Sequence, residues 1–130
     1  LQIRRLAGIT VVDDSYNANP ASALQALELL RAAPGPRVAV LGEMLELGSD
    51  AARYHRELGE ATLGLERVLF CGAHGEALRS GNPDAQVLDE GAMRAAVARL
   101  PREGTILVKA SRGLRFERLV ALLTDGEADR

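Results

Sequence analysis

The chain has 130 residues, 47% hydrophobic and 26% charged, with a formal net charge of −2. That length fits one domain able to bury about two-thirds of its unfolded surface. Interspersed charges disfavour nucleic-acid binding, no apolar run approaches the roughly 18 residues of a membrane span, and the opening Leu1-Gln2-Ile3-Arg4-Arg5 is not expected to act as a signal peptide.

In chain order, residues 2–6 read as a short edge strand and residues 9–13 as a strand. Pro20 and Ser22 open a helix to about residue 33, ended by Pro34-Gly35-Pro36. Residues 37–41 are a buried strand. Ser49 or Asp50 is the expected cap of a helix running to about residue 63, with Ala51, His55, Leu58 and Thr62 on one face. Residues 67–71 form a strand, 74–79 a short helix and 86–88 a short strand. A helix over 90–100 carries Met93, Ala96, Val97 and Leu100 on one side. Residues 105–109 are the last strand. A final helix over 114–124 is expected to bury Phe116, Leu119, Val120 and Leu123, with a flexible polar tail at 125–130.

Strands that are apolar throughout, rather than alternating, suggest a sheet covered on both faces. The expected fold is therefore α/β: a doubly wound, mostly parallel, Rossmann-like sheet of about six strands within one domain over residues 1–124. Aromatics are only 3% of the chain and Trp is absent, so the core must be built from Leu, Val, Ile and Ala. A single cysteine, Cys71, excludes an internal disulfide and fits a reducing compartment, the cytoplasm. With two scattered histidines beside it, no structural zinc site is expected. Of the 16 basic residues only Lys109 is a lysine. A start without Met, running straight into a strand, reads as a domain of a longer chain.

Ligands of open α/β sheets bind beyond the carboxyl ends of the strands. There the sequence places Asp13-Asp14-Ser15-Tyr16-Asn17-Ala18-Asn19-Pro20, Gly42-Glu43-Met44-Leu45-Glu46-Leu47-Gly48, Gly72-Ala73-His74-Gly75 and Lys109-Ala110-Ser111-Arg112-Gly113. The first loop gathers carboxylates, carboxamides and a phenol, which suit ribose hydroxyls, base edges and ring stacking. A helix cap explains Asn19 and Pro20 equally well, but not Asp13, Asp14, Tyr16 and Asn17. In the last loop, Lys109 and Arg112 suit an anion such as a carboxylate. An equally good reading has Ser111 cap the following helix and Lys109 and Arg112 pair with Asp13, Asp14 or Glu43 across the sheet edge. Gly72-x-x-Gly75 lacks the third glycine of a dinucleotide loop and is read as turn geometry. His55 is expected to be a hydrogen-bonded, half-buried histidine and Cys71 a small core residue. His74 has no evident partner, and Glu43 and Glu46 are either metal ligands or parts of a structural loop.

Three segments, at 13–20, 41–48 with His55 following, and 107–113, resemble in order and spacing the C-terminal domain of the Mur ligase family, within it the D-alanyl-D-alanine-adding ligases. The resemblance covers residues 2–124. One departure is Ala110, standing where the family usually has Gly. It implies one closing domain of a three-domain, ATP-dependent amide ligase acting on UDP-N-acetylmuramoyl-tripeptide and D-alanyl-D-alanine in peptidoglycan synthesis. ATP and Mg²⁺ would be held mainly by the central domain, whose phosphate loop these 130 residues do not contain, so this domain alone is not expected to catalyse ligation. Carried over by motif, Asp14, Tyr16, Asn17 and Asn19 would face the nucleotide, and Lys109, Ser111 and Arg112 would hold the dipeptide or the peptide end of the substrate.

Three other readings stand beside it. A phosphoacceptor receiver domain also pairs two acidic residues after its first strand with a late Lys, but it needs an acceptor Asp where this chain has Gly72. The others are a non-catalytic nucleotide- or protein-binding module, and the closing domain of a sibling Mur-type or polyglutamate ligase.

Overall fold

Burial along the strands sorts their side chains onto two covered faces. The computed structural model describes residues 1–14, 19–109 and 117–128. Its elements are β1 (Gln2–Leu6), β2 (Ile9–Asp14), α1 (Pro20–Arg31), β3 (Arg37–Gly42), a 3-10 turn (Gly48–Asp50), α2 (Ala51–Ala61), β4 (Arg67–Cys71), α3 (Gly75–Gly81), β5 (Gln86–Val87), α4 (Glu90–Ala98), β6 (Gly104–Lys109) and α5 (Glu117–Ala128). The strands form a six-stranded sheet in the order β1-β2-β6-β3-β4-β5. β1 pairs antiparallel with β2, and the other neighbours are parallel. The mostly parallel, doubly wound architecture expected from the sequence is the one observed.

Alternate residues of β6 show how both faces are used. Ile106 and Val108 pack with Met93, Val97 and Leu100 from α4 and its end, and with Leu119, Val120 and Leu123 of α5. Leu107 points the other way, onto Leu27 and Leu30 of α1, Leu58 of α2 and Leu78 of α3. β2, β3 and β4 divide their side chains in the same way. With both faces buried, a run such as Ile106-Leu107-Val108 has no place for a polar residue until the strand ends.

The start of α1 follows local chemistry. Asn19 Oδ1 accepts from the Ser22 amide at 2.9 Å, and Ser22 Oγ accepts from the Asn19 amide at 3.2 Å. With Pro20 as the first helical residue, this is a reciprocal capping box. The start of α2 differs from expectation. Asp50 makes no capping bond; the chain enters through the 3-10 turn, and the Asp50 carboxylate lies 3.6 Å from Arg53 Nη2 instead. Arg31 reaches across to the end of α2, donating to the carbonyls of Leu63 at 2.9 Å and Ala61 at 2.5 Å. α5 continues to Ala128 rather than ending near residue 124, since no proline stops it and one glycine disfavours a helix by only about 1 kcal/mol. Phe116 lies outside the described residues.

α2 and α3 meet through glycines. A Cβ on Gly59 would sit 2.1 Å from the Leu78 carbonyl oxygen, and one on Gly81 2.1 Å from that of Arg56. Helix propensity alone would favour alanine at Gly59 by about 1 kcal/mol, but the backbone contact reverses the sign. Gly59→Ala should destabilise the chain by about 1–3 kcal/mol, read as a lower urea midpoint at unchanged m-value.

Candidate functional site at the carboxyl edge of the sheet

The parallel strands bring the ends of β2, β6, β3 and β4 to one edge. Asp14 and Lys109 are register partners on adjacent strands. Strand alternation from Val12 and Leu107 puts both on the face that carries α1, α2 and α3. Lys109 Nζ donates to Asp14 Oδ2 at 2.6 Å, with Lys109 only 2% exposed. The chain's one lysine is thus a buried cation paired across the sheet edge, the ion-pair alternative raised from the sequence. A short charge-assisted contact of this kind holds both side chains in one geometry.

One strand further along, three side chains interlock. Glu43 follows β3, His74 follows β4 and His55 comes from α2. Glu43 Oε1 accepts from the His74 backbone amide at 2.7 Å and from His74 Nδ1 at 2.9 Å. The His55 and His74 rings stack with centroids 4.7 Å apart and planes 9° apart, and His55 meets Phe70 edge-on at 5.8 Å. Burial raises the Glu43 carboxyl, but the two hydrogen bonds and the nearby imidazoles outweigh it and hold the group below its ordinary value. Glu43 is therefore a carboxylate, and the proton between it and His74 sits on Nδ1.

His55 is completely buried. Its Nδ1 lies 2.7 Å from the Ala51 carbonyl, which can only accept, and its Nε2 lies 3.0 Å from the Met44 amide, which can only donate. These partners fix the ring as the neutral Nδ1–H tautomer. Burial pushes its pKa below the ordinary imidazole range, and the His74 charge pushes the same way.

Glu43, His55 and His74 have ligand atoms within 4.8 Å of one another, yet they do not suit one metal ion. Both His55 nitrogens are already engaged, and stacked rings aim their in-plane lone pairs in parallel rather than at a common centre. A single carboxylate beside two imidazoles is also a poor set for Mg²⁺, which prefers oxygen. Cys71 is buried, and burial together with Glu90, Asp89 and Glu43 raises its thiol pKa, so it is a core residue and a poor nucleophile.

The structure brings together some of the sequence-derived residues. Asp14 and Lys109 are joined. Asn19 stands at the head of α1 with its side-chain oxygen engaged in the helix cap. Tyr16, Asn17, Ser111 and Arg112 lie outside the described residues. His74, which had no evident partner in sequence, has Glu43. The signal was present in the strand order: both residues follow adjacent parallel strands, Glu43 directly and His74 after a Gly-Ala pair. Gly72 matters through space, since a Cβ there would sit 2.7 Å from Glu43 Cβ. A Cβ on Gly75 would meet Val87 Cγ1 at 2.5 Å, so the Gly72-x-x-Gly75 pair permits close packing around the cluster.

A doubly wound α/β domain with ion-paired and hydrogen-bonded groups at its carboxyl edge is the class that fold and site define. The family described as "Mur ligase, glutamate ligase domain" matches residues 1–112, and the chain belongs to the Mur ligase family. It is similar to the UDP-N-acetylmuramoyl-tripeptide–D-alanyl-D-alanine ligases of Escherichia coli K12 (36% identity; 88% of this chain, 27% of the relative) and Bacillus subtilis 168 (30% identity; 91% and 28%). Its fold superposes on a MurF ligase from Thermotoga maritima solved with ADP, at a TM-score of 0.83 and 31% identity over 98% of this chain and 31% of that one. The chain spans less than a third of the length of these relatives.

The Asp14–Lys109 pair is open to a direct test. Asp14→Ala leaves a nearly buried ammonium without its carboxylate and should destabilise the chain by about 1.5–3 kcal/mol. Lys109→Met should cost less, because Asp14 keeps some solvent access. In the double variant the two losses should not add, and a double-mutant cycle in urea measures the coupling.

Proposed function

We propose that this chain is the C-terminal closing domain of an ATP-dependent ligase that joins D-alanyl-D-alanine to UDP-N-acetylmuramoyl-tripeptide during cytoplasmic peptidoglycan synthesis. One observation carries the reading: relatives named for this reaction match along most of the chain. Among the described residues no helix is long and apolar enough to cross a membrane.

In this reading ATP supplies the phosphoryl group that activates the tripeptide carboxylate, which the dipeptide amine then attacks with loss of phosphate. ATP and Mg²⁺ belong mainly to a central domain. The residues here offer a carboxylate and a helix cap beside β2, which suit ribose hydroxyls better than phosphates. Asp14, Tyr16, Asn17 and Asn19 face the nucleotide, with Asp14 held in place by Lys109. Ser111 and Arg112, which follow Lys109 in the sequence, hold the carboxylate of the incoming dipeptide or the peptide end of the substrate. The fork of Arg112 donates to that carboxylate bidentately. Domain closure gathers these groups over the reacting centre and fixes the amine against the activated carbonyl.

The full-length parent enzyme tests this by ADP release that requires both the tripeptide precursor and D-alanyl-D-alanine. A folded parent that releases no ADP with these substrates would overturn the reading. Asp14→Ala, assayed below its melting transition, should raise the ATP KM or lower kcat by about tenfold or more. Arg112→Ala should raise the dipeptide KM by about 10–100-fold and leave the ATP KM near wild type.

A further inference from the structure

We propose that His55 is a positioning residue: its neutral ring clasps the 43–47 loop to α2, so that the placement of this loop at the carboxyl edge depends on pH. The partners on the page require it. Met44 N–H donates to Nε2 and Nδ1–H donates to the Ala51 carbonyl. A second proton on the ring would set Nε2–H against the Met44 N–H, two donors face to face, with no other acceptor among these contacts. Burial gives the imidazolium no water to turn to. Protonation therefore releases the Met44 amide or moves the ring.

Release at Met44 reaches the rest of the edge through contacts already described. Its side chain is 2% exposed and packs in the core with Leu58. It also lines a cleft with Pro20, Leu24, Tyr54 and Glu57, between the heads of α1 and α2. The residue before it is Glu43, whose carboxylate holds His74. Two residues after it, Glu46 sits at φ 62°, a left-handed conformation that L side chains disfavour. A loop carrying that conformation needs an anchor, and the His55–Met44 bond supplies one.

The groups that act on His55 come from each side. Glu43, on the β3 loop, favours the charged ring, and His74, on the β4 loop, opposes it. Phe70 of β4 offers only a ring. α3 meets α2 through Gly59, Leu78 and Gly81 rather than through charge. Burial and His74 together lower the pKa of His55 beneath its ordinary 6.5. The sign follows: the clasp is intact above the ordinary value, and it weakens as the pH falls through that value and through the lower folded one.

Amide exchange resolved by NMR on the 130-residue chain reads the clasp without any ligase activity, so its outcome is separate from that of the functional proposal. Between about pH 7.5 and about pH 5, Met44 protection corrected for intrinsic exchange should fall about tenfold or more. The strand amides of Val40 and Leu69 should hold theirs, which separates local release from unfolding. His55→Gln keeps an acceptor for Met44 N–H and has no proton to gain, so its Met44 protection should stay flat. His74→Ala leaves the ring-to-Met44 bond intact and should keep the fall. Unchanged Met44 protection in the wild type would overturn the proposal. So would a parallel fall in His55→Gln, loss of the fall in His74→Ala, or ring nitrogen shifts that place the neutral proton on Nε2.

Discussion

β6 imposes the constraint on which the rest of the structure depends. It lies between β2 and β3, and Thr105 through Val108 are buried between α4 and α5 on one face and α1, α2 and α3 on the other. Its last residue is a lysine, also buried. A cation there must be neutralised, and its register partner at the end of β2 supplies a carboxylate. Sheet register and site geometry are therefore one property. A slip of one residue between β2 and β6 would turn Asp14 to the opposite face and break its pairing with Lys109.

The same edge carries a second device with a different physical basis. Glu43, His74 and His55 use directional hydrogen bonds and a ring stack in place of a buried salt bridge. The glycine at position 72 admits Glu43, Glu43 fixes the His74 loop, and His55 fixes Met44. The Asp14–Lys109 pair couples β2 to β6, and the imidazole cluster couples the β3 loop to both the β4 loop and α2. Together they tie the ends of β2 and β6, the starts of the loops after β3 and β4, and α2 into one edge.

Legibility in the sequence followed the range of the interactions. Strands read correctly because a parallel sheet covered on both faces demands unbroken apolar runs such as Arg67-Val68-Leu69-Phe70-Cys71. The start of α1 read correctly because Asn19, Pro20 and Ser22 form their cap within four residues. The start of α2 read correctly in position, with Asp50 as its N-cap residue, but not in its bonding: Asp50 pairs with Arg53 instead of capping the helix, which the chain enters through the 3-10 turn. The motif loops marked the carboxyl edge as the place for chemistry. They raised a pairing of Lys109 with Asp13, Asp14 or Glu43 but did not choose among the three; the structure selects Asp14.

The sequence by itself determined the fold class, the covered sheet, the edge at which polar groups collect and the family resemblance, because each rests on local pattern or on motif order along the chain. Tertiary structure alone decided the pairings. Lys109 meets Asp14 across 95 positions, and Glu43 meets His74 across 31. His55 takes a single tautomer from one carbonyl and one amide. Those contacts depend on which strands become neighbours and in what register, and strand order is set by the packing of helices on both faces, which no single segment encodes.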